Sequence, residues 1–99
     1  MSAVIEGELP IGGLSSSAAV IIAFLVALCR VNSIRLEPME LILMAKAAEN
    51  KYVGVNCGKL DQSCEVLCRE KRLLYLDTRD DQYRLIDTNP VMKPYQIGI

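Results

Sequence analysis

The sequence predicts an α+β fold in which helices cover one face of a mixed or antiparallel sheet. Two observations indicate helices: residues 18–29 form an unbroken apolar run, and residues 41–48 place apolar side chains at helical spacing. A third observation indicates the sheet. Residues 72–77 and 82–87 are short runs of mixed apolar and polar residues separated by a polar turn, which is typical of a hairpin. Helices and strands that are segregated along the chain favour an α+β arrangement.

The first predicted elements are a short strand and a long helix. Residues 4–9 alternate weakly, and Pro10 ends the strand because proline lacks an N–H donor. The helix is expected from residue 14 to about Val31. Serines stand at its start, where side-chain oxygens accept hydrogen bonds from the free N–H groups of a first turn. Because this helix is apolar all round, we expect it to be buried on several sides.

The second helix is predicted to begin near Pro38, which suits a first helical turn, and to end at residues 50–52. Glu37 and Glu40 lie near its positive end, where acidic side chains are favourable. Its apolar spacing predicts one buried stripe. The members of this stripe are Leu41, Met44, Ala45 and Ala48.

The last predicted elements are short. One or two helical turns are expected to begin at residues 61–63, followed by the hairpin and by a further strand over residues 95–99. The predicted order is therefore strand, helix, helix, short helix and three strands.

The chain length and composition allow two interpretations. Its 99 residues suffice for one compact domain, but 52% of them are hydrophobic, which is high for so short a chain. The chain is either an unusually apolar small domain or a slice of a larger protein whose apolar faces meet other segments. We favour the slice, and an exposed apolar face could also lead to a homo-oligomer.

The charge and the apolar runs argue against two classes of partner. The formal net charge is −1, with acidic and basic residues mixed, so a nucleic-acid partner is not expected. The apolar run of residues 18–29 is too short to cross a membrane, so no membrane partner is expected either.

The cysteines indicate a reducing compartment. No signal peptide precedes them and the chain has no histidine, while their spacing disfavours a structural zinc site. Reduced thiols in a cytoplasmic protein are the expectation. The four are Cys29, Cys57, Cys64 and Cys68.

A glycine- and serine-rich loop precedes the first helix and has the chemistry of a phosphate site. Gly12 and Gly13 let the backbone approach an anion closely, and three serines then lead into a helix whose N-terminus favours negative charge. No Gly-Lys-Ser/Thr follows, so this is not a Walker loop. An ordinary turn with a serine cap is the alternative, although a cap needs only one serine.

This segment resembles the second motif of the GHMP kinases in its galactokinase form. The family pattern is Pro-x-Gly-x-Gly-Leu-Ser/Gly-Ser-Ser-Ala, and here the two glycines are adjacent, so the loop is one residue shorter. The resemblance implies that ATP, a cofactor of the family, binds at this loop. The implied residues are Pro10, Gly12, Gly13, Leu14, Ser15, Ser16, Ser17 and Ala18.

A second stretch, residues 48–62, resembles the galactokinase segment Ala-Glu-Asn, Val-Gly-Val-Asn-Cys-Gly and Asp-Gln. The resemblance implies that Glu49 ligates Mg²⁺ together with Ser17, that Gly58 contacts the sugar, and that Asp61 is catalytic at the reacting hydroxyl. These roles suit phosphoryl transfer, which requires alignment and charge neutralisation. Taken without the resemblance, Glu49 could be an exposed helix residue and Asp61 only an N-cap.

The resemblance covers residues 6–87 and implies part of a GHMP kinase N-terminal domain, since the family's first and third motifs are absent. We therefore expect residues 1–99 alone to lack kinase activity. The function implied is ATP-dependent phosphorylation of a sugar, first of all galactose, at its anomeric hydroxyl. A galacturonate kinase is the close alternative, because Lys59 replaces the usual isoleucine and could meet a carboxylate. A non-catalytic sensor of sugar and ATP, and a structural domain with degenerate loops, also remain.

Overall fold

The structure, a computed structural model, describes residues 2–7 and 15–88. The chain forms two compact units, Met1–Val66 and Leu67–Ile99. Within the described ranges they contain three α-helices, one π-helical turn and a two-stranded antiparallel sheet. The predicted α+β class is confirmed.

The first unit is built on two helices that pack against each other, α1 (Ser16–Val31) and α2 (Pro38–Ala48). Four apolar side chains at the centre of this packing are almost completely removed from water, which stabilises the pair of helices. These are Ala18 and Ile22 of α1 and Ile42 and Ala45 of α2.

Local chemistry explains where α1 ends and α2 begins. The side-chain amide of Asn32 donates to the carbonyl of Leu28 at 2.9 Å, and Ser33 then turns into the left-handed region with φ of 54°. Before α2, the backbone N–H of Glu37 donates to the Glu40 carboxylate at 3.2 Å. These contacts satisfy backbone groups that a helix end leaves without partners. The predicted end of α1 and start of α2 are confirmed, whereas α2 ends at Ala48 and not at residues 50–52.

Two predictions about burial in the first unit are wrong. Helix α1 is not buried on several sides, since Phe24 and Val26 are 43% and 49% exposed. In α2 the buried stripe contains Ile42, which is 0% exposed, whereas Met44 is 46% exposed. An apolar stripe about 100° wide on α2 can be placed so that it includes either Ile42 or Met44. The packing of α1 against α2 buries the stripe that contains Ile42.

The first unit continues beyond α2 without an immediate return to extended chain. Glu49–Val53 forms a π-helical turn, and Gly54 ends it with a φ of 83°. Helix α3 (Leu60–Leu67) follows, as predicted, and its last residue belongs to the second unit.

The second unit contains the predicted hairpin. Strands β1 (Arg72–Asp77) and β2 (Gln82–Asp87) pair antiparallel, in a register that places Arg72 opposite Asp87. In the turn, Asp77 accepts from the backbone N–H and the guanidinium of Arg79, which lowers the pKa of the Asp77 carboxyl.

The strand predicted over residues 4–9 is not formed in the part that the structure describes. Residues 2–7 have no regular structure, and residues 8 and 9 lie outside the described ranges. A strand needs a hydrogen-bonded neighbour, and the sheet of the described residues contains only β1 and β2. The strand predicted over residues 95–99 also lies outside the described ranges. None of the described helices is both long and apolar enough to cross a membrane.

Candidate active site

The start of α1 has an unusual backbone. Ser15 lies in the left-handed region, with φ of 60° and ψ of 33°, and its carbonyl accepts the first helical hydrogen bond, from the Ala19 N–H at 3.1 Å. A left-handed residue followed by helical ones turns successive N–H groups toward one point, which makes an anion-binding concavity. The Ser15 side chain does not cap the helix, so the predicted serine cap is not made there.

Of the remaining residues of the glycine-serine loop, the structure describes only three. Ser16 is half-buried, Ser17 is exposed, and Ala18 packs in the core with 2% exposure. The predicted ATP contacts Pro10, Gly12, Gly13 and Leu14 lie outside the described residues. The described part of this loop is therefore a helix start at which Ser15 and Ser16 are half-buried and Ser17 is exposed.

Glu49 is buried, which excludes its interpretation as an exposed helix residue. It opens the π-helical turn and is 3% exposed. Its carbonyl accepts from the Val55 N–H at 3.1 Å, so the turn around Gly54 closes over it. Its carboxylate atom Oε1 is buried and has no hydrogen-bond partner among the described residues. Burying a carboxylate without a partner is costly, and a cation would offset that cost.

The thiol of Cys57 lies among three polar side chains. Its Sγ atom is 3.8 Å from Glu49 Oε2 and 3.4 Å from Asn50 Oδ1, and it accepts from Gln62 Nε2 at 3.7 Å. The backbone N–H of Cys57 also donates to Asn50 Oδ1 at 3.1 Å. This cluster links the π-helical turn to α3. The sequence did not indicate this cluster, because hydrogen bonds across a loop leave no periodic pattern.

Asp61 is the second residue of α3, so it lies inside the first helical turn and is not an N-cap. Its side chain is half-buried. The two following side chains, Gln62 and Ser63, are 1% and 0% exposed and keep the start of α3 against the rest of the first unit. One turn further on, Glu65 has its pKa raised to about 6, by desolvation first and then by the charges of Asp61 and Glu49.

The structure thus brings two predicted site residues into one neighbourhood. Glu49 Oε2 lies 3.8 Å from Cys57 Sγ, which accepts from Gln62, the residue after Asp61 in α3. Gly58 lies between Glu49 and Asp61 in the chain, is exposed, and has no atom within 4 Å of the place a Cβ would occupy. Space for a ligand is therefore open at Gly58. No described hydrogen bond or ion pair joins Ser17 to this group.

The donor set fits a magnesium ion only if other ligands complete it. Within residues 2–7 and 15–88, no three Cys, Asp or Glu side chains are arranged to hold a metal ion among themselves. Mg²⁺ commonly takes one or two protein oxygens and fills its octahedron with water and substrate phosphates. The unpartnered Oε1 of Glu49 supplies one such hard oxygen.

Several known proteins are similar to this chain in sequence. The chain is 42% identical over 83 residues to a galactokinase of Pyrococcus furiosus, covering 83% of this chain and 24% of that protein. It is 39% identical over 85 residues to a galacturonokinase of Arabidopsis thaliana, covering 86% and 20%. A galactokinase of Thermosipho africanus is 32% identical over 96 residues. The chain therefore spans about a quarter of the length of these relatives.

The family profile described as GHMP kinases N terminal domain matches residues 1–69. This match includes the start of α1, the buried Glu49, the Cys57 cluster and helix α3. The chain belongs to the GHMP kinase N-terminal domain family.

Proposed function

We propose that this chain is the central part of the N-terminal domain of a sugar kinase, which transfers the γ-phosphoryl group of ATP to the anomeric hydroxyl of galactose or a related sugar. The observation that carries the proposal is the buried Glu49 carboxylate, whose Oε1 has no hydrogen-bond partner among the described residues and which Cys57 links to Gln62, the residue after the half-buried Asp61. The galactokinase relatives support this choice of reaction.

Each residue has a role in the proposed reaction. The sugar hydroxyl oxygen forms a bond to the γ-phosphorus, the bond from that phosphorus to the bridging oxygen of ADP breaks, and the hydroxyl proton passes to the Asp61 carboxylate. The phosphates would be received by the predicted ATP-binding residues, which are Pro10, Gly12, Gly13, Leu14, Ser15, Ser16, Ser17 and Ala18. Glu49 and Ser17 would hold Mg²⁺, which neutralises phosphate charge when it is bound. Gly58 leaves room for the sugar.

The test is ADP release by the complete native protein with MgATP and either galactose or galacturonate. We expect release with one sugar, and we expect Asp61→Ala to reduce it by at least about 100-fold, the lower end of a general-base contribution. The same variant should still bind MgATP, because Asp61 is assigned to the sugar. Tight MgATP binding without release from either sugar would contradict the kinase and favour a sensor of sugar and ATP.

Galacturonate is a second candidate substrate. The galacturonokinase of Arabidopsis thaliana is about as similar to the chain as several galactokinases are. Lys59 adjoins Gly58 and is half-buried, so its ammonium could meet a sugar carboxylate.

A Lys59→Met variant tests this assignment because it keeps the length of the side chain and removes the charge. If the substrate is a uronic acid, KM for galacturonate should rise about 10-fold or more, as expected for a lost charge-assisted hydrogen bond. Turnover with galactose should stay within about twofold of that of the unmodified protein. Equal effects on the two sugars would remove Lys59 from substrate selection.

We also propose that the protein is cytoplasmic. All four cysteines are free thiols, which agrees with a reducing compartment.

A further inference from the structure

The Cys57 cluster suggests a role that goes beyond the proposed reaction. We propose that Cys57 is a positioning residue that joins the Glu49 carboxylate to helix α3 and thereby sets how strongly the site holds its metal ion. This inference rests on the proposed function, because the metal is assigned there.

The hydrogen bonds of the Cys57 thiol have a direction. The Gln62 amide nitrogen donates to Cys57 Sγ at 3.7 Å, and the thiol then has its own hydrogen to donate. Two acceptors are within reach, Asn50 Oδ1 at 3.4 Å and Glu49 Oε2 at 3.8 Å. The thiol has one hydrogen for these two acceptors, and the Glu49 carboxylate is the stronger acceptor when it is charged. Donation to Glu49 connects this carboxylate, through the sulfur, to Gln62, the residue that follows Asp61.

The side chains on both sides of the thiol are buried. Glu49 and Gln62 are 3% and 1% exposed, so water does not readily replace a lost partner. In Glu49, Oε2 faces the thiol while Oε1 is buried without a hydrogen-bond partner among the described residues. A carboxylate held by one oxygen presents the other in a fixed direction. Partners of this kind typically change metal affinity or activity by about 10- to 100-fold when they are removed.

Other interactions hold the loop itself. The Cys57 N–H donates to Asn50 Oδ1 at 3.1 Å and to the Val55 carbonyl at 3.0 Å, and neither bond involves the sulfur. A substitution of the side chain therefore leaves the backbone contacts in place. The thiol can be tested apart from the fold of the loop.

The experiment measures ADP binding to the complete native protein by calorimetry, once with Mn²⁺ and once with EDTA. The ratio of the two dissociation constants gives the coupling between metal and nucleotide. We expect Cys57→Ala to reduce this ratio about 10-fold and to leave the EDTA value unchanged. Cys57→Ser should restore most of the ratio, because a hydroxyl also donates and accepts. A merely structural defect would weaken ADP binding in both conditions.

Two further variants make the test independent of the folding of Cys57→Ala. Gln62→Met removes the donor on the α3 side with little change in shape and should lower the ratio in the same direction. The double variant should be no worse than the more severe single variant, because both act through one connection. Cys29→Ala is the matched control, since Cys29 is a half-buried thiol of α1 that takes no part in the contacts of Cys57.

The outcomes separate this inference from the proposed function. If Cys57→Ala and Gln62→Met give ratios within twofold of Cys29→Ala, while the unmodified protein couples Mn²⁺ to ADP, the positioning role is wrong and the kinase assignment stands. If the unmodified protein shows no metal-dependent ADP binding, both the positioning role and the metal assignment are wrong.

Discussion

Gly54 and Gly58 differ in backbone conformation but have similar surroundings, which makes them a matched pair. Both are exposed, both lie in the loop between α2 and α3, and at neither would an added Cβ meet an atom within 4 Å. Gly54 has a φ of +83°, in the left-handed region, while Gly58 does not lie there. Alanine at the two positions therefore separates backbone strain from occupied ligand space.

The expected magnitudes follow from these conformations. A side chain in the left-handed region costs about 1–2 kcal/mol, so Gly54→Ala should destabilise the turn by that amount. At Gly58, alanine should leave stability unchanged or raise it by about 0.4–1 kcal/mol, because it reduces the freedom of the unfolded chain. Activity should respond in the opposite order, because a methyl group at Gly58 occupies the space assigned to the sugar.

Amide hydrogen exchange is the local assay for stability. The Val55 N–H bonds to the Glu49 carbonyl across Gly54, so it reports the closing of this turn. Gly54→Ala should speed its exchange about 5- to 30-fold, the factor that corresponds to 1–2 kcal/mol. Gly58→Ala should change the exchange by less than twofold while raising KM for the sugar. Equal exchange rates in the two variants would refute the strain argument, and an unchanged KM would remove Gly58 from the sugar site.

Two further predictions concern the core and the carboxylates. Ile42→Ala should lower the free energy of unfolding by about 2–5 kcal/mol in chemical denaturation, because Ile42 is fully buried, whereas Leu43→Ala, at a half-exposed neighbour, should cost less than about 1 kcal/mol. Glu65 has its pKa raised from 4.5 to about 6, so its ionisation destabilises the native state increasingly as the pH rises from 4.5 to about 7. At pH 7, Glu65→Gln should therefore be more stable than the unmodified protein, by less than about 1 kcal/mol because the group is largely exposed. At pH 4.5 the two proteins should be equally stable. Similar losses for both core variants, or a Glu65→Gln effect that is the same at both pH values, would contradict these arguments.

The sequence by itself determined the local elements of this chain. The end of α1, the start of α2, the short helix after Gly58 and the hairpin of β1 and β2 all follow from residues close together in sequence. Propensities, caps and turns act over a few residues, so such elements are predictable without knowledge of their neighbours.

The sequence also predicted the family, because two of its loops resemble motifs of the GHMP kinases. Residues 4–7 do not form the expected strand, because a strand needs a hydrogen-bonded neighbour that the local pattern does not specify. For the same reason, apolar residues alone did not show which faces of α1 and α2 are buried.

Only the tertiary structure decided how the site is assembled. Sequence spacing could not show that Glu49 is buried, that its charge and that of Asp61 both act on Glu65, or that Cys57 joins Glu49 to Gln62. These contacts connect a π-helical turn to a separate helix, and their distances depend on how the whole first unit packs. Desolvation and hydrogen bonding at a site are properties of that packing, which no short stretch of sequence specifies.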